Sequence, residues 1–186
     1  MSSPSIVSGH TYQMVGVCSA TSCGHVKNTK EHQEEQWFQF VCETVRLWRS
    51  RGHKVFYVKF DRAGELTAPG FVSRVESTLN VTVQFAASKW HEGIATAEVN
   101  NDILTRIAEA QCARAGLGPR YILVARKYAQ YLLNLRPLRG SPISRIEAAT
   151  GNKPDVKKSP NYILGCTVII LRDMDDRGPH GSLNRG

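Results

Sequence analysis

The segment of residues 100–136 constrains the fold of this chain most strongly, because its apolar residues and its glycines divide it into clear elements. Apolar residues spaced three and four apart predict a helix over residues 102–115. Gly116, Gly118 and Pro119 follow this helix, and residues of these types end helices and form turns. The segment is therefore predicted to begin as a helix that stops sharply.

Two apolar runs follow this stop. The run YILVA at residues 121–125 predicts a short strand, and residues 126–135 predict a second helix. The run YILGCTVIIL at residues 162–171 is rich in β-branched side chains and predicts a central strand that closes the unit. Together these patterns predict a helix–strand–helix unit with a distant partner strand.

The rest of the chain alternates between strand and helix patterns. Strands are predicted at residues 11–20, 53–60 and 81–85, and helices at residues 28–50 and 71–79. Between the first strand and the first helix, the sequence predicts a polar loop. Asn28 followed by Glu31 resembles a capping box and predicts the start of that helix.

This alternation predicts an α/β or α+β fold with a mixed sheet of about five strands and flanking helices. We expect a single domain over residues 11–173, preceded by an N-terminal arm at residues 1–10. A long basic loop is predicted at residues 137–160, with a helical turn at residues 143–149. Residues 174–186 are polar and are predicted to form a C-terminal tail.

The composition is that of a soluble globular protein in a reducing compartment. The sequence holds no apolar run long enough for a transmembrane helix, so we expect no membrane contact. Its start lacks the layout of a signal peptide. The cysteines are scattered and odd in number, which favours free thiols and a cytoplasmic or virion location: Cys18, Cys23, Cys42, Cys112 and Cys166.

The positive charge is concentrated in one part of the chain. The net charge is +8, and residues 114–158 hold ten basic residues against only Glu147 and Asp155. Such a bias favours an anionic partner, either nucleic acid or an acidic face of another subunit, although a solvated surface would look the same. The predicted contact residues are Arg126, Lys127, Arg136, Arg139, Arg145, Lys153, Lys157 and Lys158.

Two weaker patterns suggest metal sites. Cys18, Cys23, His25 and His32 could supply the sulfur and nitrogen ligands of a tetrahedral zinc site, although their spacing matches no standard zinc motif. The alternative is one buried cysteine beside a polar loop. The sequence thus offers a zinc site only as a minor hypothesis.

Carboxylates after predicted strands form the second pattern. Asp61 directly follows the predicted strand at residues 53–60, and Asp173 and Asp175 follow the predicted last strand. Carboxylates at strand ends can bind magnesium for phosphoryl transfer, but they are also common turn residues. No glycine-rich phosphate-binding loop or nucleophile motif occurs, and the sequence predicts no cofactor.

Residues 100–173 resemble the C-terminal part of HK97-type major capsid proteins of tailed phages and their encapsulin relatives. In that family a helix leads into an apolar strand and a second helix, and an apolar strand follows a variable loop. The positions that carry the resemblance are Pro119, residues 122–124, Tyr128, Leu132, Gly165 and residues 168–170. The resemblance implies a structural subunit that assembles with copies of itself.

Our interpretation from the sequence is a non-enzymatic structural subunit of a viral or virus-like particle. It would form a homo-oligomer or larger assembly, and its basic region would face nucleic acid or a partner. One alternative is a metal-dependent nuclease or phosphoryl-transfer enzyme that uses Asp61, Asp173 and Asp175. The other alternative is a nucleic-acid-binding accessory protein.

Overall fold

A computed structural model describes residues 9, 11–60, 66, 68–85, 92–138 and 140–155, without the side chains of residues 92–94. Strands and helices are mixed along the described chain, which confirms the predicted mixed α/β fold class. In chain order they are β1 (Tyr12–Val17), β2 (Gly24–Thr29), α1 (Glu34–Ser50), β3 (Tyr57–Phe60), α2 (Pro69–Leu79), β4 (Thr82–Phe85), α3 (Glu92–Arg114), α4 (Ile122–Leu135) and α5 (Arg145–Thr150).

β1 and β2 form an antiparallel hairpin in which Gln13 lies opposite Asn28. The Gln13 side chain donates a hydrogen bond to Asn28 Oδ1 at 2.7 Å, so Asn28 acts as a cross-strand partner and not as a helix cap. The polar loop predicted at residues 19–29 is therefore wrong for residues 24–29, which form β2, and the predicted helix start at Asn28 is wrong as well. α1 begins instead at Glu34, after Gln33, whose side chain makes no capping bond.

The largest apolar cluster joins α1 and α2 to β3 and β4. Phe71 and Val75 of α2 have no exposed surface, and Phe60 of β3 meets Phe71 edge to face, with ring centroids 5.8 Å apart. β3 and β4 pair in parallel, and such a pair needs a crossover connection, which α2 provides. The strand predicted at residues 53–60, the helix predicted at residues 71–79 and the strand predicted at residues 81–85 are confirmed here, although β3 begins only at Tyr57.

α3 and α4 pack against each other and against the hairpin. Leu104 of α3 meets Ala129 and Leu133 of α4 in one cluster, and Ala108 meets Ala125 in a second. The predicted strand at residues 121–125 is wrong, because those residues enter α4 after a 3-10 turn at Pro119–Tyr121. Short apolar runs do not distinguish a strand from a buried helix, and here burial recurs at four-residue spacing.

α3 begins ten residues earlier than the sequence predicts, at Glu92 rather than at Asp102. Its first turns contain Gly93 and several polar residues, which weaken a helical pattern. α3 contacts β1, β3 and α4. Tertiary packing of this kind can outweigh weak local helix propensity.

α5 confirms the helical turn predicted within the basic loop. The Ser144 side chain accepts a hydrogen bond from the Glu147 backbone N–H at 3.1 Å and caps the helix. The predicted strand at residues 162–171 lies outside the described residues. Within the described ranges there are four strands in two separate two-stranded sheets, rather than about five strands in one mixed sheet. The predicted arms and single-domain boundaries stay predictions.

Candidate functional site

A row of amide side chains holds the turn end of the hairpin against α3 and α4. Asn134 Oδ1 accepts the Gly24 N–H at 2.9 Å, and Asn134 Nδ2 donates to the Gly24 carbonyl at 2.9 Å. Gln130 Nε2 donates to the same Asn134 oxygen, and Gln130 Oε1 accepts from Asn100 Nδ2, both at 2.9 Å. Asn100 and Gln130 are only 3% and 2% exposed, so these bonds satisfy groups that water does not reach.

The backbone of Gly24 lies directly against the Gln130 amide. A Cβ atom at residue 24 would lie 2.4 Å from both Gln130 Nε2 and Gln130 Oε1. Only glycine therefore fits this position while Gln130 keeps its hydrogen bonds. The hairpin and α4 are joined here by one specific close approach.

Two arginines predicted to contact nucleic acid or a partner form hydrogen bonds within the protein. Arg145 donates to the Ser22 carbonyl and to Asn100 Oδ1, both at 3.3 Å. Arg126 donates to Asn101 Oδ1 and so joins α4 to α3. Burial lowers the pKa of Arg126 and of Arg145. Their side chains hold the elements together, which leaves fewer donors for an outside partner.

The other described basic candidates face solvent. Lys127, Arg136 and Lys153 are exposed, and none of them forms an ion pair with another described residue. Arg139, Lys157 and Lys158 lie outside the described residues. We call Lys127, Arg136 and Lys153 the exposed basic set. They remain available for an anionic partner, and the prediction that they bind one stays a prediction.

The four zinc candidates do not come together. Cys18 and Cys23 flank the hairpin turn, and His25 stacks on Phe40 with ring centroids 5.6 Å apart. His32 accepts a hydrogen bond from Trp37 Nε1 at 3.2 Å, beyond the opposite end of β2. Across the part of the chain that the structure describes, no group of three His, Cys, Asp or Glu residues could hold a metal ion. The zinc hypothesis has no geometric support.

The three carboxylates of the magnesium hypothesis, Asp61, Asp173 and Asp175, lie outside the described residues. Asp61 nevertheless follows Phe60, the last residue of β3, directly in the chain. α3 contacts β3, and it exposes Glu98 and Asp102, which are four positions apart and therefore lie on one face of the helix.

Sequence reasoning missed the two carboxylates of α3 as candidate metal ligands. The predicted helix began only at residue 102, so Glu98 fell in a segment with no assigned element. An Asp or Glu pair at four-residue spacing is a common solvated surface feature, and the sequence alone did not connect this pair to β3. In the structure α3, the helix that carries this pair, contacts β3.

The fold is similar to that of retroviral integrase catalytic core domains. No family model and no curated protein sequence matches the chain. Among solved structures, the catalytic core domain of BIV integrase matches with a TM-score of 0.57 and 14% identity, over 74% of this chain and 84% of that chain. The HTLV-2 integrase catalytic core domain in complex with magnesium, in a trimeric form, matches with a TM-score of 0.57 and 14% identity, over 73% and 82%.

A larger assembly contains a third similar chain. The simian T-cell lymphotropic virus intasome, in complex with PP2A regulatory subunit B56 gamma, has a TM-score of 0.59 at 13% identity. That match covers 87% of this chain and 54% of the intasome chain, so this chain spans about half the length of that relative. At such identities, the three similarities establish the fold.

The interpretation as a capsid subunit is wrong, because these structurally similar proteins are integrases and none of the three is a capsid protein. The resemblance that led to it required a strand at residues 122–124, and those residues lie in α4. No helix in the described parts of the chain combines the length and apolarity needed to cross a bilayer.

Proposed function

We propose that this chain is the core of a magnesium-dependent phosphoryl-transfer enzyme that acts on nucleic acid, as integrases do. The observation that carries the proposal is the fold similarity to two integrase catalytic core domains, one of them solved with magnesium. The concentrated positive charge of residues 114–158 supports a nucleic-acid substrate.

The residues that would hold magnesium are the carboxylate that follows β3 in the chain and the carboxylates of α3. Asp61 directly follows β3, and α3, which contacts β3, exposes Glu98 and Asp102. Carboxylate oxygens suit Mg²⁺, which is usually bound by one or two carboxylates together with water and substrate phosphates. When bound, the metal would stabilise the negative charge that develops on the transferred phosphoryl group. Asp173 and Asp175 remain further candidates from the sequence.

The exposed basic set would position the substrate. Lys127 lies within α4, Arg136 is the residue that caps the C-terminal end of α4, and Lys153 follows α5. Lysine and arginine side chains on phosphates fix the register of a nucleic acid without reading its sequence. Their contribution therefore applies to any duplex and weakens as salt rises.

The decisive experiment compares four variants in a magnesium-dependent cleavage and strand-transfer assay on a short labelled duplex. Asp61→Asn should lose at least about 100-fold in rate, since substitutions that only disturb the support of a metal ligand already lose about 10- to 100-fold. Glu98→Gln and Asp102→Asn identify which carboxylate of α3 takes part. Glu109→Gln is the control, because Glu109 is also exposed on α3 but lies about 16 Å along the axis from Glu98.

A wild-type protein with no magnesium-dependent activity would contradict the proposal. The second candidate function is nucleic-acid binding without catalysis, and the exposed basic set supports it. A wild-type protein that binds a duplex but has no magnesium-dependent activity would favour this second function. Lys127→Ala and Arg136→Ala should each lower the slope of log affinity against log salt by about 1, which corresponds to one lost phosphate contact. Lys30 is an exposed cation outside residues 114–158, and Lys30→Ala should leave this slope unchanged.

The similar proteins also favour an assembly of several chains. One similar structure is described as trimeric and another as an intasome. We infer that this chain forms oligomers on nucleic acid. Light scattering after chromatography, with and without a duplex, measures the number of chains, and a monomer under both conditions would contradict the inference.

A further inference from the structure

The turn of the β1–β2 hairpin places two thiols opposite each other. Val17 is the partner of Gly24 in the strand register, so the next opposing pair along the hairpin is Cys18 and Cys23. The Cys18 N–H donates to the Cys23 carbonyl at 3.0 Å, which extends the pairing by this step. Directly opposed residues of an antiparallel pair have Cα atoms about 4.5–5.5 Å apart, and a disulfide needs about 4.4–6.8 Å.

Both side chains lie on the face of the hairpin that packs on α1. Cys23 is 1% exposed and belongs to a cluster with Trp48 and Ala149, and Cys18 packs against the same cluster. Directly opposed residues of a hairpin point to the same face, and the contact of both cysteines with one cluster agrees with this. Both thiols are free in this structure.

The two thiols differ in access. Cys18 is only partly buried, whereas Cys23 is enclosed, and desolvation raises the pKa of Cys23 despite the nearby Arg51 guanidinium. A small oxidant therefore reaches Cys18 first, and Cys23 is held beside it as the second thiol. The other described cysteines, Cys42 and Cys112, are buried in different apolar clusters.

We propose that Cys18 and Cys23 form a reversible disulfide across the hairpin turn when the protein reacts with a peroxide. The Cys18 thiolate attacks one peroxide oxygen, the O–O bond breaks, and the products are a sulfenic acid on Cys18 and one water after proton transfer. The Cys23 sulfur then attacks the Cys18 sulfur, the S–O bond breaks, and a second water leaves. One hydrogen peroxide is reduced to two waters while two thiols are oxidised to one disulfide.

The proposed disulfide would constrain a turn that is hydrogen-bonded to α5. The Ser22 N–H donates to the Cys18 carbonyl at 2.8 Å, and the Ser22 carbonyl accepts from Arg145. Ser22 also holds a left-handed backbone conformation, with φ of 52°. A monothiol such as glutathione would reverse the bond by thiol–disulfide exchange through a mixed disulfide.

The test exposes the reduced full chain to hydrogen peroxide, alkylates the remaining thiols, and maps tryptic peptides without reduction. No Lys or Arg precedes Lys27, so trypsin leaves both cysteines in the peptide of residues 1–27. The expected product is this peptide without alkyl groups and lighter by two hydrogens. Its formation should be on the order of tenfold faster than the loss of the Cys112 thiol.

Single variants separate the two steps. Cys23→Ser should stop the reaction at a Cys18 sulfenic acid that dimedone captures, and Cys18→Ser should leave Cys23 as an alkylated thiol. Cys42→Ser is the matched control and should form the disulfide at the wild-type rate. Circular dichroism checks that each variant folds, and if Cys23→Ser does not, the wild-type peptide and Cys18→Ser decide.

The proposal is overturned if the wild-type peptide keeps two alkylated thiols, or if Cys18 or Cys23 is found linked to Cys42, Cys112 or Cys166. Regeneration of both thiols by glutathione supports the reversible bond, and resistance to glutathione contradicts reversibility. None of these readouts depends on magnesium or nucleic acid. Failure here and failure of the proposed enzyme activity are therefore separate results.

Discussion

Two regions of this molecule are held together by different physics. Around α2, an apolar cluster of buried side chains joins α1, β3 and β4. Around the hairpin turn, the amides of Asn100, Gln130 and Asn134 and the guanidinium of Arg145 join β2, α3, α4 and α5. Apolar packing depends on area and volume, whereas the amide row depends on particular atoms at particular positions. Sequence patterns therefore reveal the first region more readily than the second.

The largest loss of stability is expected from the apolar region. Phe71→Ala removes a fully buried ring that meets Phe60, and it should lower the free energy of unfolding by about 3–5 kcal/mol through lost burial and a residual cavity. Urea denaturation followed by fluorescence measures the change. Phe56→Ala is the control, since Phe56 is 70% exposed and should change stability by less than about 0.5 kcal/mol.

An intermediate loss is expected from the amide row. Gly24→Ala places a methyl group where Gln130 lies and should destabilise the fold by about 1–3 kcal/mol, because Gln130 must leave its partners. The measurement is the same urea midpoint. A wild-type midpoint in Gly24→Ala would mean that the close approach to Gln130 is unimportant.

A second substitution sharpens that result. In a Gln130→Ala background the amide that blocks the methyl group is absent, so adding Gly24→Ala should lower stability less than it does in the wild type. The coupling in such a cycle is typically about 0.5–3 kcal/mol for residues in contact. Additive losses would contradict direct contact. Phe71→Ala combined with Gly24→Ala provides the additive reference, because the two residues belong to different regions.

The smallest effect is expected from His25, between the hairpin and α1. Burial is the main cause that lowers its pKa below the usual 6.5, and Arg51, Lys27 and Lys127 act in the same direction, against Glu43. The unfolded chain therefore binds a proton at His25 more readily than the folded chain. Stability from this residue is complete above about pH 6.5 and is lost as pH falls through the lower folded pKa.

The matching measurement is the urea midpoint of wild type and His25→Gln as a function of pH. The difference between the two proteins should change between pH 6.5 and the folded pKa, and it should stay constant above pH 6.5. A constant difference throughout would show that His25 has the same pKa in the folded and unfolded chains. His53→Gln serves as a second histidine outside the hairpin.

The sequence was sufficient where elements bury a regular apolar face. α2 and β4 have simple patterns and lie close to their predicted positions. It was insufficient for β2, whose residues GHVKNT have little apolar character and are held by pairing with β1. The run at residues 121–125 was apolar enough for either element, and in the structure residues 122–125 begin α4, which packs against α3.

The candidate site was predictable only in part. Asp61 could be identified because it follows an apolar strand, but Glu98 needed a helix start that no local pattern supplies. The basic excess of residues 114–158 was evident, yet the structure assigns Arg126 and Arg145 internal partners. The residues that Arg126 and Arg145 bond lie far away in the chain, and a single sequence does not record such pairings.

The bond from Arg145 to Ser22 spans 123 positions in the chain. During synthesis the hairpin and α1 leave the ribosome before α5 does, so the hairpin turn at first lacks its hydrogen bond from Arg145. Long-range contacts form late because a long loop must close first. We therefore expect α5 to pack on the turn late in folding, and a chain that ends before Arg145 would lack the hydrogen bond to the Ser22 carbonyl.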